Sequence, residues 1–234
     1  MAKPAIDGPR KHRILLVDDH PMVRSGLIRL LSQEPDFECS GEAATAAEAM
    51  TLAEAQQPEV AIVDLRLKQG DGLELIKTLK TALPRLKILV LSQHVEQVFV
   101  ERALRAGALG YVSKEQDPQE VIQAIRSILA DEYYVTNSIA SRLLHRLVSD
   151  DRGAVHLDPV ESLTDRELGV FRLLGEGRST REIATELKVS FKTVESHREN
   201  IKQKLGIDNA AGLISYAVRW AGTSRGFKTS AETP

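Results

Sequence analysis

Five polar residues stand at the ends of short apolar runs. Asp18 and Asp19 close RILLVDD (13–19), Asp64 lies at the end of EVAIVDL (59–65), Ser92 closes KILVLS (87–92) and Lys114 follows GYVS (110–113). Carboxylates gathered in one place repel each other unless a cation joins them, and hard oxygen donors select Mg²⁺ or Ca²⁺. A carboxylate, a divalent ion, a hydroxyl and an ammonium together suit a phosphoryl group. The carboxylate attacks to form an aspartyl phosphate, while the cations neutralise the phosphoryl oxygens. In this reading Asp64 is the nucleophile. Taken singly, each residue has a simpler role, as a loop acid, a helix cap or a solvated lysine. Their order at the ends of successive runs is what makes them a set.

The elements that must position them follow from the pattern around them. The runs at 13–19, 59–65 and 87–92 show no period-2 alternation, as expected of strands covered on both faces. FECSGE (37–42) and GYVS (110–113) read as further strands. Between them, residues 21–33, 46–57, 71–83, 95–107 and 118–130 carry apolar positions at helical spacing. Five β-α units in succession predict an α/β fold with a doubly wound parallel sheet. In such a sheet ligands bind outside the carboxyl ends of the strands, where strand order reverses. If the first and third strands are neighbours, Asp18, Asp19 and Asp64 converge there.

VDDHPMVRSGL, VDLRLKQGDGLELI, LVLSQH and ALRAGALGYVSKE together resemble the receiver domain of bacterial response regulators, from about Arg13 to Leu129. The resemblance implies a flavodoxin-like, five-stranded sheet of order 2-1-3-4-5. It implies Asp64 as phospho-acceptor, and Mg²⁺ held by Asp19 and Asp64 with Asp18 assisting and the Arg66 backbone carbonyl contributing. Ser92 and Tyr111 look like the switch pair and Lys114 like the phosphate-binding lysine. Many receivers read Met-Pro where Leu67 and Lys68 stand here; a proline would fix φ in that loop, but no ligating side chain changes.

Past Asp131 the pattern changes. A helix is expected over 138–148, then a polar stretch with Gly and Pro, SDDRGAVHLDP, that reads as a linker. SLTDRELGVFRLL opens with a capping signal, Thr164 and Glu167, ahead of Leu168, Phe171 and Leu174. A short helix (180–187), a turn around Val189 and Ser190, and a longer helix (192–205) then follow. Val194, Ile201 and Leu205 share one face of the longer helix, with Lys192, Glu195, Ser196, Glu199 and Lys202 outward. That pattern fits either a helix-turn-helix with its second helix in a DNA major groove or a small helical bundle with a solvated face. LTDRE, FRLL, EGRSTREIATEL and VSFKTVESHRENIKQKLG resemble the LuxR-type DNA-binding domain, from about Leu163 to Trp220. Receiver plus this domain is the plan of the NarL/FixJ class. The resemblance implies Lys192, Thr193, Arg198 and Lys202 as phosphate contacts and Glu195, Ser196 and Glu199 as readers of base edges. His197 is expected to be partly packed, and the last helix, 209–222, to serve as core or dimer surface.

The organisation read from the chain is therefore a receiver over 12–131, a linker with a helix over 132–159, a DNA-binding domain over 160–222 and a poorly packing tail over 223–234. The expected activity is transfer of a phosphoryl group from a sensor histidine kinase to Asp64, then DNA binding as a homodimer to change transcription. A phosphohydrolase would need an acid to protonate a leaving group, and the loop after Asp64 offers Arg66. A regulator that binds DNA without phosphorylation is the other alternative. Composition agrees with a two-domain soluble protein: of 31 Lys+Arg and 33 Asp+Glu, residues from Val160 onward hold 12 and 10, and the rest 19 and 23. The second part is thus mildly basic and the first mildly acidic. No apolar run approaches the roughly 18 residues needed to cross a bilayer, so no membrane role is expected. A single cysteine, Cys39, and no leader-like apolar stretch leave the cytoplasm as the expected location.

Overall fold

The apolar runs become a parallel sheet because both of their faces are covered. In the computed structural model, which describes residues 11–67, 69, 71–93, 97–136, 139–141 and 159–225, the first unit has strands β1 (His12–Val17), β2 (Phe37–Ala43), β3 (Val60–Val63), β4 (Lys87–Ser92) and β5 (Gly110–Ser113). Helices α1 (Pro21–Ser32), α2 (Ala46–Gln56), α3 (Gly72–Ala82), α4 (Gln97–Ala106) and α5 (Pro118–Leu129) alternate with them. Strand order is β2-β1-β3-β4-β5 and every pairing is parallel, as expected. Every residue of β3 is buried, and so are Ile14 to Val17 and Ile88 to Ser92. One side of the sheet packs Leu27, Leu31, Val121, Ile122, Ile125 and Ile128 against Ile14, Leu16, Ile62, Leu89 and Val112.

Strand β5 lies at a sheet edge, where open backbone groups invite a foreign strand. The segment after α5 closes it. Tyr111 N–H donates to the Tyr134 carbonyl at 2.8 Å and Tyr134 N–H to the Leu109 carbonyl at 2.9 Å. The Tyr134 hydroxyl donates to the Glu120 carboxylate. Burial first, then the acceptor and charge of Glu120, push this phenol up to about 12.

A second compact unit holds helices α6 (Asp165–Gly175), α7 (Thr180–Glu186), α8 (Phe191–Leu205) and α9 (Ala210–Arg225), preceded by a short 3₁₀ turn at Pro159–Ser162. Thr164 and Glu167 form the expected capping box, and Ser179 and Glu182 form another at the start of α7. The turn into α8 places Lys188 at φ 53, and Ser190 caps the new helix by accepting from Thr193 N–H at 3.0 Å. Phe171, Leu174, Ile183, Val194, Ile201, Leu213 and Ala217 are buried, while Leu205 and His197 are half-buried. The Phe171 ring meets Tyr216 at 5.8 Å and Trp220 at 5.5 Å between centroids. The last helix runs to Arg225, beyond the expected end at Gly222. The helix expected over 138–148 lies outside the described residues except for 139–141, which are helical, and the tail lies outside them after Arg225. Among the described residues no helix is long and apolar enough to cross a membrane.

Candidate functional site

Register brings the acids together. Val17 pairs with Val63 across β1 and β3, so the residues that follow, Asp18 and Asp64, leave the sheet side by side at the point where strand order reverses. Asp64 N–H donates to the Val17 carbonyl at 2.8 Å and Asp18 N–H to the Ala43 carbonyl at 3.1 Å, which fixes both backbones. An oxygen from each of Asp18, Asp19 and Asp64 and a ring nitrogen of His20 lie within 4.8 Å of one another.

On the far side, Ser92 pairs with Ser113, and Lys114 N–H donates to the Ser92 carbonyl at 2.9 Å. The Lys114 ammonium then reaches back across the edge. Its Nζ lies 2.6 Å from Asp18 Oδ2 and 2.5 Å from Asp64 Oδ2. The other Asp64 oxygen, Oδ1, accepts from Arg66 N–H at 3.0 Å. Burial pushes the Asp64 carboxyl above the usual carboxylate range. The charge and hydrogen bond of Lys114 and the Arg66 N–H oppose that rise, and the nearby Asp18 adds to it.

The loop after Asp64 is held shut by backbone. Arg66 bridges Asp71 in antiparallel fashion, and the Asp71 side chain caps α3 by accepting from Leu73 N–H at 2.9 Å. Gly72 sits so close beneath the loop that a Cβ there would stand 2.5 Å from Leu65 Cα and 2.6 Å from the Asp64 carbonyl oxygen. Leu67 is buried, and Lys68 lies outside the described residues. Ser92 is fully buried at the end of β4, and Tyr111 is 1% exposed, its ring already inward.

Two residues at this site were not among those singled out from the sequence. His20 Nδ1 lies 2.8 Å from Asp19 Oδ1 and 3.2 Å from Asp18 Oδ1, and its backbone N–H donates to Asp18 Oδ1 at 2.8 Å. Arg24 Nη1 donates to the Asp18 carbonyl at 2.6 Å. His20 directly follows the acid pair in the chain and Arg24 lies one helical turn further on, so their nearness to Asp18 and Asp19 was the available signal.

In the second unit the outward face of α8 carries Lys192, Ser196 and Glu199, all exposed, with Thr193 half-buried at its start. Lys202 Nζ pairs with Glu199 Oε1 at 2.9 Å. Arg198, expected among the phosphate contacts, has Nη1 bonded within the domain instead, to Thr180 Oγ1 at 2.5 Å and Glu195 Oε1 at 2.9 Å.

A buried acidic edge on a 2-1-3-4-5 sheet, joined to a helix-turn-helix unit, defines a two-domain signalling regulator. Residues 14–126 match the response regulator receiver domain family and residues 161–217 match the LuxR family of bacterial regulatory proteins. The chain is 37% identical over 207 residues to the transcriptional regulatory protein LiaR of Bacillus subtilis, covering 88% of this chain and 97% of LiaR. RcsB from Salmonella enterica serovar Typhimurium, bound to promoter P1flhDC in the presence of phosphomimetic BeF₃⁻, matches with 28% identity and a TM-score of 0.65, over 90% of this chain and 100% of RcsB. A structure of two RcsB dimers bound to two parallel DNAs matches with 27% identity and a TM-score of 0.55, over 89% of this chain and 98% of that one. The chain belongs to the two-component response regulators that join a receiver domain to a LuxR-type DNA-binding domain, and it is a transcription regulator.

Proposed function

We propose that Asp64 accepts a phosphoryl group from the phosphohistidine of a sensor kinase, and that the phosphorylated chain binds promoter DNA as a homodimer in the cytoplasm. One observation carries this reading: Asp64, 3% exposed at a strand end, shares the Lys114 ammonium with Asp18. Two buried carboxylates joined by a cation form a structure that is costly to keep unless it has work to do.

Asp18, Asp19 and Asp64 fit Mg²⁺ as hard oxygen donors within reach of one another, with the Arg66 carbonyl as a further ligand. When bound, the ion supplies positive charge to the phosphoryl oxygens. An Asp64 oxygen attacks phosphorus, the bond from phosphorus to the donor imidazole nitrogen breaks, and the imidazole takes a proton. Lys114 exchanges its carboxylate partner for a phosphoryl oxygen. The added charge of about -1.5 to -2 draws in the Ser92 hydroxyl, and Tyr111 follows. Its ring is already buried at 1% exposure, so phosphorylation stabilises that position rather than creating it.

The output is the outer face of α8. Lys192, Thr193 and Lys202 meet phosphates, and Glu195, Ser196 and Glu199 face base edges. Dimerisation places two such helices on half-sites about one helical turn apart. The test is binding to promoter fragments selected from the source genome, measured with and without acetyl phosphate and Mg²⁺. Affinity that rises with the phosphodonor in the wild type and not in Asp64→Asn supports the proposal. Equal affinity in all four conditions means that DNA binding does not depend on phosphorylation.

A further inference from the structure

The start of α7 and the middle of α8 are joined by a closed ring of three side chains. Thr180 Oγ1 donates to Glu195 Oε1 at 3.0 Å, Arg198 Nη1 donates to Thr180 Oγ1 at 2.5 Å, and the same Nη1 donates to Glu195 Oε1 at 2.9 Å. The Arg198 side chain is 15% exposed and that of Glu195 41%. The cation is drawn in and the acid is held out. Both bonds that reach Glu195 end on Oε1, and Oε2 carries no partner among the described residues.

We propose that Thr180 and Arg198 are positioning residues that hold Glu195 Oε2 as a preformed acceptor for the amino group of a cytosine in the major groove. The inference rests on the reading of α8 as the DNA-facing helix. Three physical points carry it. A carboxylate approaching a polyanion is repelled, and the adjacent guanidinium cancels most of that charge. A glutamate held at one oxygen has lost its rotamer freedom before DNA arrives, so binding need not order it. Arginine's planar fork suits this anchoring, because it holds geometry as well as charge. The same features argue against Arg198 as a phosphate clamp, since its side chain is only 15% exposed and its Nη1 is bonded twice within the domain.

The experiment uses the full chain with Mg²⁺ and acetyl phosphate. A preferred site is selected from random duplexes, and every single-base-pair variant of it is then measured at several salt concentrations. Wild type is compared with Glu195→Gln, Thr180→Val, Arg198→Lys and Arg198→Met. The proposal expects Glu195→Gln, Thr180→Val and Arg198→Lys to relax discrimination at one shared C·G pair by about 5- to 150-fold. Preferences elsewhere stay intact, and the salt slope of these charge-matched variants Thr180→Val and Arg198→Lys stays that of wild type. Combining Thr180→Val with Glu195→Gln is no worse than Glu195→Gln alone.

An unchanged base profile in Thr180→Val and Arg198→Lys overturns the proposal. If Arg198→Met at the same time lowers the salt slope by about 0.9, Arg198 is a phosphate contact. Equal weakening on every sequence together with a lower melting temperature also overturns it, and makes the ring a fastening between helices. A wild type that selects no sequence at all defeats the DNA-facing reading of α8, and this inference falls with it.

Discussion

Lys114 Nζ lies 2.5 Å from Asp64 Oδ2 across fifty positions of chain, with both side chains almost wholly buried. That pair, shared with Asp18, holds the acidic edge in balance. Lys114→Met would leave two buried carboxylates without their cation, which costs about 3 kcal/mol. The expected result is a lower receiver melting temperature, partly restored by Mg²⁺, together with slower uptake of label from acetyl phosphate. Unchanged melting would mean that the ammonium does not balance the acids.

Asp64→Asn acts in the opposite direction. Burial raises the Asp64 carboxyl above its unfolded value of about 3.9, so the folded state holds a proton more tightly than the unfolded chain. Stability from this group is present below the unfolded value and is lost as pH rises through the higher folded value. At neutral pH the ionised group therefore costs stability, and the amide removes that cost. Without divalent ions, Asp64→Asn should raise receiver stability by about 1 kcal/mol. Calorimetry across pH checks this, and the gain should shrink toward acid.

Gly72→Ala tests the loop. A methyl group 2.5 Å from Leu65 Cα and 2.6 Å from the Asp64 carbonyl has only backbone to displace. A cost of about 1–3 kcal/mol is expected. Phosphorylation should slow by more than in Gly26→Ala, where an added Cβ has nothing within 4 Å. Equal rates in the two variants would show that the loop yields freely.

In the DNA-binding unit, Lys204 Nζ donates to Glu167 Oε2 at 2.6 Å, and Glu167 is 3% exposed. Burial alone would raise this carboxyl, but the hydrogen bonds from Lys204 and from the Thr164 backbone and hydroxyl outweigh it and hold the group below the usual range. Its contribution is present above the unfolded value of about 4.3 and is lost as pH falls through the lower folded value. Lys204→Met should cost about 1–3 kcal/mol at pH 7 and progressively less as pH falls. The single tryptophan, Trp220, lies in this unit, so its fluorescence during urea unfolding reads that loss separately from the receiver.

Much of the architecture was legible because the receiver's strands are buried on both faces, and such strands announce themselves as unbroken apolar runs. A parallel sheet sends every strand end to one edge, so Asp18, Asp19, Asp64, Ser92 and Lys114 could be grouped before any geometry was known. The closure of the β5 edge by Tyr134 left no such trace, since no periodicity marks a segment that pairs through backbone alone. The close approach of Gly72 to Leu65 is equally silent, because a glycine's neighbours are set by tertiary packing. Arg198 shows the same limit. The resemblance implied a phosphate contact there, and nothing local could reveal Thr180 waiting eighteen residues back.

The central claim is that one carboxylate, Asp64, takes the phosphoryl group. Intact-protein mass measurement after incubation with acetyl phosphate and Mg²⁺, followed by mapping of the modified residue, tests it most directly. The wild type should gain one phosphoryl group, mapped to Asp64, and Asp64→Asn should gain none. A modified Asp64→Asn protein, or a phosphoryl group mapped to any other residue of the wild type, would contradict the account.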